Sequence, residues 1–228
     1  KPPAVVGGCY QIGSAEELYG FGFIANASQY SETPVCGKLT KDIVVNKSVL
    51  AKDTLNGDGS NFIPWLAVTN FTGTFDGAGH TISGLYFNDS WLHDAMGLFA
   101  TVFAPDQSHE VKIENVGIED SYFYVYGTVG SLIGAVESKS KTVTLKKCYA
   151  SSYLRGASGG LVGGNSGDSL RIEDSYYDGV LESNENTIGG LLGWSGGKFY
   201  IVNSYSVADL KVNPDFMGSY NGSLVGAN

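Results

Sequence analysis

The chain has 228 residues with 32 glycines, 6 prolines and 12% aromatic residues, which is typical of a turn-rich β protein and not of a disordered one. Its formal net charge of -9 argues against binding to nucleic acids or anionic membranes, because their phosphates would be repelled. No apolar run approaches the roughly 20 residues that a membrane-spanning helix needs, so direct insertion into a membrane is not expected.

Residues 1–37 differ from the rest of the chain and are predicted to form an N-terminal cap that contains a helix. Ser14 followed by Glu17 has the spacing of a capping box, which marks the start of a helix. The apolar residues between Leu18 and Ile24 then fall close to one helical face. Such a helix is well placed to cover one end of the structure that follows.

The next segments read as strands. Residues 38–46 alternate and are rich in β-branched side chains, a pattern that predicts one strand. Residues 71–87 predict a strand, a tight turn at the Asp76-Gly77 pair, and a second strand. The polar stretch between them is predicted to be a loop.

From about residue 90 onward, blocks of the form Gly-Leu-aliphatic-Gly recur at steps of 29, 30 and 33 residues. A period of this length indicates a repeat architecture. The blocks read "VGSLIGAV", "SGGLVGGN", "IGGLLGWS" and "NGSLVGAN". The glycines at the second position of the blocks are Gly130, Gly159, Gly189 and Gly222, and the leucines are Leu132, Leu161, Leu191 and Leu224.

A second element repeats in step with the first. It places an aliphatic residue, then two mostly polar residues, then a small residue, then an aromatic one or glycine. The aliphatic column is Ile113, Leu145, Ile172 and Ile201; the small column is Val116, Cys148, Ser175 and Ser204; the last column is Gly117, Tyr149, Tyr176 and Tyr205.

Units of about 30 residues with short strands and glycine corners predict an all-β fold, a parallel β-helix, with residues 38–228 as its repeats and the whole chain as one domain. A helical repeat would need long amphipathic runs with few glycines. In a β-helix, equivalent residues of successive coils stack, so the leucines are expected to point inward. The glycines would serve either bends with positive φ or close approaches of the backbone.

The three cysteines are Cys9, Cys36 and Cys148. We interpret Cys9 and Cys36, which flank the N-terminal segment, as a disulfide, and Cys148 as a buried free thiol. The alternative is three reduced core cysteines.

The Gly-Leu-aliphatic-Gly blocks, together with "FTGTFDGAGHTISGLYF", resemble the GLUG-motif repeat proteins. The resemblance extends from about residue 9 to the end of the chain. It implies a right-handed parallel β-helix in a large bacterial protein that is secreted or attached to the surface, and it implies that Cys9 and Cys36 belong to a secreted module. Such repeats often neighbour a separate functional domain, such as a metallopeptidase, and this chain contains no such domain.

No catalytic constellation stands out, so the chain is predicted not to be an enzyme, and no cofactor is expected. The pairs Glu119-Asp120 and Glu173-Asp174 could face one another on adjacent coils, where they could bind calcium or act as an acid/base pair. We favour the alternative, a solvated acidic surface, because the spacing ties none of Arg155, Arg171 and Lys198 to these carboxylates. Asn56, Asp58 and Ser60 resemble calcium ligands, but the acidic residues of a calcium loop are missing around them.

The tyrosines form two predicted rows. Tyr122, Tyr124 and Tyr126 alternate along one strand, so they share a face if Phe123 and Val125 are core residues. Tyr149, Tyr176 and Tyr205 would form a row across the coils. Regular aromatic rows suit sugar rings or protein partners, and they also stabilise a sheet without any ligand.

The predicted function is that of a non-catalytic extracellular or cell-surface module: a spacer, or an element of adhesion or fibre assembly. Its expected partners are other surface proteins or copies of itself, bound at the edge of the C-terminal coil, because an uncovered β-helix edge can pair with another strand. The alternative is a polysaccharide-binding or carbohydrate-active β-helix that uses the tyrosine rows.

Overall fold

The computed structural model of the chain describes residues 1–29, 33–51, 59–183, 187–212 and 220–227. These residues form one helix, α1 (Ala15–Ser28), and a series of short strands. The strands are β1 (Ala4–Val6), β2 (Cys9–Ile12), β3 (Val35–Leu39), β4 (Ile43–Val44), β5 (Gly73–Asp76), β6 (Thr81–Ser83), β7 (Tyr86–Asp89), β8 (Phe99–Val102), β9 (Val111–Glu114), β10 (Gly117–Gly130), β11 (Ile133–Val136), β12 (Val143–Lys146), β13 (Tyr149–Gly159), β14 (Val162–Asn165), β15 (Ser169–Glu173), β16 (Tyr176–Tyr177), β17 (Val180–Ser183), β18 (Ile188–Gly189), β19 (Leu192–Ser195), β20 (Lys198–Val202), β21 (Tyr205–Ser206), β22 (Asp209–Val212), β23 (Asn221–Gly222) and β24 (Val225–Ala227).

The strands belong to three sheets that run along the molecule. The first sheet has the order β1-β2-β3-β5-β9-β12-β15-β20, the second is built around β4-β6-β10-β13-β16-β21, and the third has the order β8-β11-β14-β19-β24. Every pairing between named strands is parallel except that of β1 with β2. Successive coils therefore each contribute to all three sheets, which confirms the predicted parallel β-helix.

The strand register reproduces the repeat columns. Ile113, Leu145, Ile172 and Ile201 are directly paired along the first sheet. The block leucines also follow one another, because the backbone N–H of each donates to the carbonyl of the next at 2.9–3.1 Å. The first three block leucines are fully buried.

The block glycines are required by a close approach of the backbone. A Cβ atom on Gly159 would lie 1.9 Å from the carbonyl oxygen of Val162, and one on Gly189 would lie 1.9 Å from that of Leu192. Neither glycine has a positive φ. Of the two roles expected for these glycines, the tight backbone approach is therefore the one that the fold uses.

A corner between the first and second sheets uses a left-handed residue in each repeat. Asn115, Lys147, Asp174 and Asn203 have φ values of 54°, 53°, 50° and 49°. Asn and Asp tolerate this conformation better than most residues. The small column follows each of them: the hydroxyl of Ser175 accepts a bond from the backbone N–H of Cys148 at 3.1 Å and donates to the carbonyl of Glu173 at 2.7 Å.

One predicted local structure is corrected. Residues 38–46 do not form one strand, because β3 lies in the first sheet and β4 in the second, with a corner between them. The strand, turn and strand predicted within residues 71–87 are present as β5, the turn after Asp76 and β6, and the two strands lie in different sheets. The alternation of inward and outward side chains continues through a corner when the core lies on the inside of the bend. The sequence pattern therefore does not reveal where the corner is.

The N-terminal end of the β-helix is covered. Helix α1 begins after Ser14, whose hydroxyl accepts the N–H of Glu17 at 3.2 Å, as the capping-box spacing predicts. The helix packs Leu18, Phe21 and Ala25 against the first coils. Strand β2 already continues the parallel ladder to β3, and β1 closes its edge. The division into a cap at 1–37 and repeats at 38–228 stays a prediction.

Candidate functional site

The outer face of the second sheet carries most of the tyrosines, and we call it the tyrosine face. On β10, Phe123 and Val125 are fully buried, so Tyr122 and Tyr124 point outward as the alternation predicts. Tyr126 follows them and is 49% exposed.

The row across the coils is a continuous stack. The ring centroids of Tyr149 and Tyr176 are 5.1 Å apart and those of Tyr176 and Tyr205 are 5.3 Å apart, with interplanar angles of 7° and 5°. The ring of Tyr149 lies over Gly117, where a Cβ would be only 2.4 Å from its Cζ. The rings therefore cover each other's faces, and Tyr205 has one face that no ring of this stack covers.

A second stack crosses the coils where the sequence suggested a row along one strand. Tyr122 stacks on Tyr86 at 5.8 Å and meets Tyr153 at 5.6 Å, while Tyr124 and Tyr126 have other neighbours. Tyr86 and Tyr153 were missed by sequence reasoning. A repeated pattern in the sequence could have identified them. In the coils that carry Tyr86, Tyr122 and Tyr153, a tyrosine followed by an apolar residue lies four or five positions after the residue at which the chain enters the second sheet.

Charged side chains occupy the space beside these rings. The guanidinium of Arg155 lies 4.4 Å from the centre of the Tyr124 ring and pairs with Glu182 at 3.2 Å. Glu182 also accepts the hydroxyl of Tyr153, and the Nζ of Lys211 lies 5.1 Å from the centre of that ring. This cluster offers hydrogen-bonding groups of both charges on one surface.

The phenols beside these carboxylates are held in the protonated state. The hydroxyl of Tyr149 donates to Oε1 of Glu119 at 2.6 Å. Burial and, after it, the bond to Glu119 raise the pKa of Tyr149, and burial and Glu182 do the same for the pKa of Tyr153. Both groups therefore act as hydrogen-bond donors at neutral pH, and neither is an available base.

The two acidic pairs, which could have faced one another on adjacent coils, do not do so. Glu119 lies in the second sheet opposite Ser151, whereas Glu173 lies in the first sheet opposite Lys146. Glu173 pairs with Arg171 at 2.7 Å, and this ion pair holds the pKa of its carboxyl below the usual value. The repeat brings equivalent positions together, and these two pairs are not equivalent.

Asp120 and Asp174 likewise have structural roles. The carboxylate of Asp120 accepts the backbone N–H groups of Val49 and Leu50 at 3.1 and 2.8 Å, and Asp174 occupies the left-handed corner. Among the described residues, no three His, Cys, Asp or Glu side chains are grouped so that they could hold a metal ion. Asn56 and Asp58, on which the resemblance to a calcium loop depends, lie outside those residues, and the expectation that the chain holds no cofactor stays a prediction.

The cysteines are arranged as the sequence indicates. Cys9 and Cys36 form a disulfide between β2 and β3. Cys148 is a free, buried thiol whose Sγ lies 3.4 Å from the carbonyl oxygen of Ile113. Burial raises the pKa of this thiol to about 12, so it is an inert core residue.

The opposite end of the β-helix presents a second surface, the C-terminal edge, formed by β20, β21, β22, β23 and β24. In the part of the chain that the structure describes, each of these strands pairs with another strand on one side only. Several large apolar side chains are exposed here: Tyr200, Val202, Tyr205, Val207 and Leu224. Of these, Leu224 belongs to a column whose earlier members are fully buried.

The chain was compared with known proteins. No protein-family model matches it, and the search of curated proteins finds no match. A solved structure of a "putative immunoglobulin A1 protease" from Bacteroides ovatus is similar, with 18% sequence identity, a TM-score of 0.46, and coverage of 96% of this chain and 84% of that one.

The name of that protein contradicts the prediction that this chain is not an enzyme, and we withdraw the prediction. At this identity and TM-score, the likeness itself carries no argument for an activity or a substrate. Within the described residues, no helix is both long and apolar enough to cross a membrane.

Proposed function

We propose that this chain is an extracellular β-solenoid module of a bacterial surface or secreted protein, and that it acts as a spacer and assembly element. In this proposal, the C-terminal edge pairs with a strand offered by another surface protein or by a second copy of the chain. All three sheets described above would then continue into the partner.

The observation that carries the proposal is the change along the leucine column. Leu132, Leu161 and Leu191 are fully buried between neighbouring coils, whereas Leu224 is 37% exposed. Tyr205 at the end of the tyrosine stack is 54% exposed. A further coil would bury Leu224, cover the open ring face of Tyr205 and pair the free backbone groups beside them, as each later coil does for the one before it.

The setting is supported by two further features. The Cys9–Cys36 disulfide is the kind of crosslink that persists in oxidising compartments. The repeated Gly-Leu-aliphatic-Gly blocks resemble GLUG-motif proteins, and we propose a relation to that family on those residues.

Substitution of Leu224 by Lys tests the assembly role, because it places a charge at the exposed end of the aliphatic column. We expect the unmodified protein to form larger species at rising concentration in size-exclusion chromatography with light scattering, and Leu224→Lys to remain monomeric. Ser151→Lys is the matched control, since it adds the same charge at an exposed position in the middle of the tyrosine face. A chain that stays monomeric at every concentration, and binds no strand-bearing partner, would contradict the proposal.

Polysaccharide binding is the second candidate, supported by the mixed aromatic and charged character of the tyrosine face. Because most ring faces in the stacks are covered, a sugar would contact the exposed Tyr126 and Tyr205 and hydrogen-bond to the charged cluster. Electrophoresis through gels containing bacterial polysaccharides tests this. Binding would slow the protein, and Tyr126→Ala would restore its mobility.

A further inference from the structure

A groove of about 310 Å³ lies between helix α1 and the first coils, far in sequence from the C-terminal edge. Its walls are mostly apolar. They include Tyr19 and Phe23 from the helix, Trp65 and Leu66 from the segment before β5, and Leu92 and Met96 from the segment before β8. A volume near 300 Å³ is at the lower end of the range for sites that bind small molecules.

The groove exists because α1 is apolar on both sides. Leu18 and Phe21 are buried against the β-helix, and the side of the helix that carries Phe23 has no such cover. Phe23 is 65% exposed, and Leu66 is 53% exposed. Two large apolar side chains left accessible beside one concave surface favour an apolar occupant.

The polar groups along the groove are already bonded, with one exception. The hydroxyl of Tyr19 donates to the carbonyl of Pro64 at 2.8 Å, and Nε1 of Trp65 donates to the carbonyl of Gly97 at 3.1 Å. Oδ1 of Asn26 accepts the backbone N–H of Thr69 at 2.8 Å. Asp94 is the one ionisable acid in the lining; it is an exposed residue, and among the described residues its carboxylate has neither a hydrogen-bond donor nor a cation beside it.

We infer that this groove binds a small organic amine: an aromatic or branched aliphatic group that fills the apolar walls and carries a positive charge that pairs with Asp94. The charge of the chain, -9, favours a cation over an anion at any exposed site. The aromatic ring of Phe23, which is 65% exposed, adds a favourable surface for a cation that approaches its face. This inference concerns the opposite end of the molecule from the assembly proposal and does not depend on it.

Two probes that share a phenethyl group and carry opposite charges test the inference: phenethylamine and 3-phenylpropionate. We expect phenethylamine to shift the amide resonances of Gly22, Leu92 and Met96 saturably in two-dimensional NMR titrations of the whole chain. 3-Phenylpropionate should bind at least about tenfold more weakly, because its carboxylate would meet Asp94. Equal binding of the two probes, or no saturable shift with phenethylamine, would overturn the inference.

Two substitutions separate the contributions of charge and shape. Asp94→Asn should weaken phenethylamine binding about threefold to tenfold and abolish the preference between the probes. Gly22→Leu should fill the groove and abolish binding, whereas Gly22→Ala should keep it, because a Cβ at Gly22 meets its nearest atom at 3.6 Å. If Gly22→Leu does not fold, the Asp94→Asn result alone decides, and unchanged affinity in that variant would overturn the inference.

Discussion

The two ends of the β-helix differ in how the last coil is covered. At the N-terminal end, helix α1 lies over the first coils, and Leu18 on that helix is 1% exposed. At the other end, Leu224 is 37% exposed, although it occupies the same column as three fully buried leucines. The repeats are chemically alike, so the difference comes from what covers them and not from the repeats themselves.

The backbone shows the same contrast. Strand β1 turns back antiparallel on β2 and closes the N-terminal edge of the first sheet, whereas β20 at its other edge pairs only with β15 in the described residues. An open edge of this kind is a template for further strands. The comparison teaches that a solenoid needs a separate element to stop its ladder, and at the N-terminal end strand β1 and helix α1 supply that element.

The sharpest test of the contrast compares two leucines that are truncated in the same way. Leu18→Ala at the covered end should lower the free energy of unfolding by about 2–5 kcal/mol, because it leaves a cavity in a packed core. Leu224→Ala should cost about 1 kcal/mol or less, because that side chain already contacts water. Urea titrations followed by circular dichroism measure both.

The order of these two effects is the decisive result. Similar losses for both variants would mean that the C-terminal edge is covered in solution, for example by another copy. Repeating the titration at several protein concentrations identifies that case, because the stability of an associated form depends on concentration.

The disulfide at the covered end should have the next largest effect. Replacing both Cys9 and Cys36 by Ser should lower the free energy of unfolding by about 2–4 kcal/mol, since the bond restricts the unfolded chain. Its two cysteines are separated by 27 positions. Adding a reductant should destabilise the unmodified protein and leave the double variant unchanged. Three alkylatable thiols in unreduced, denatured protein would show that the bond is not formed.

The smallest predicted effect is an alkaline loss of stability at the covered end. Burial raises the pKa of Tyr19 to about 12, above its ordinary value of 10.0. The protonated phenol therefore contributes stability that is complete below pH 10.0 and is lost as the pH rises through about 12. Tyr19→Phe should unfold with a weaker pH dependence over that interval.

At neutral pH, the same variant should lose about 1 kcal/mol of the free energy of unfolding, because the bond to Pro64 is gone. Parallel pH dependences of the two proteins above pH 10.0 would contradict the assigned environment of Tyr19.

Much of the fold could be predicted because stacking imposes equal spacing. The columns of block glycines, leucines and tyrosines were all visible as repeats, and the structure places their members in register. The capping box at Ser14 was also readable, since its bonds are local in sequence. The corners between sheets were not, because residues 38–46 keep a strand pattern while the chain changes direction.

The tyrosine face illustrates where prediction from sequence stops. Alternation alone placed Tyr122 and Tyr124 outward, but the stacking of Tyr122 on Tyr86 depends on the register between coils. The same register places Glu119 in the second sheet and Glu173 in the first. The sequence alone had left open that these two residues face each other on adjacent coils.

The sequence by itself determined the period, the inward columns and the helix start of this protein, because each depends on residues close together or on exact repetition. The tertiary structure decided which ring faces remain free, which carboxylates have partners, and where the groove beside α1 lies. These features depend on how one coil lies over the next and how the helix packs across them, and distances between such segments are set by packing and not by spacing along the chain.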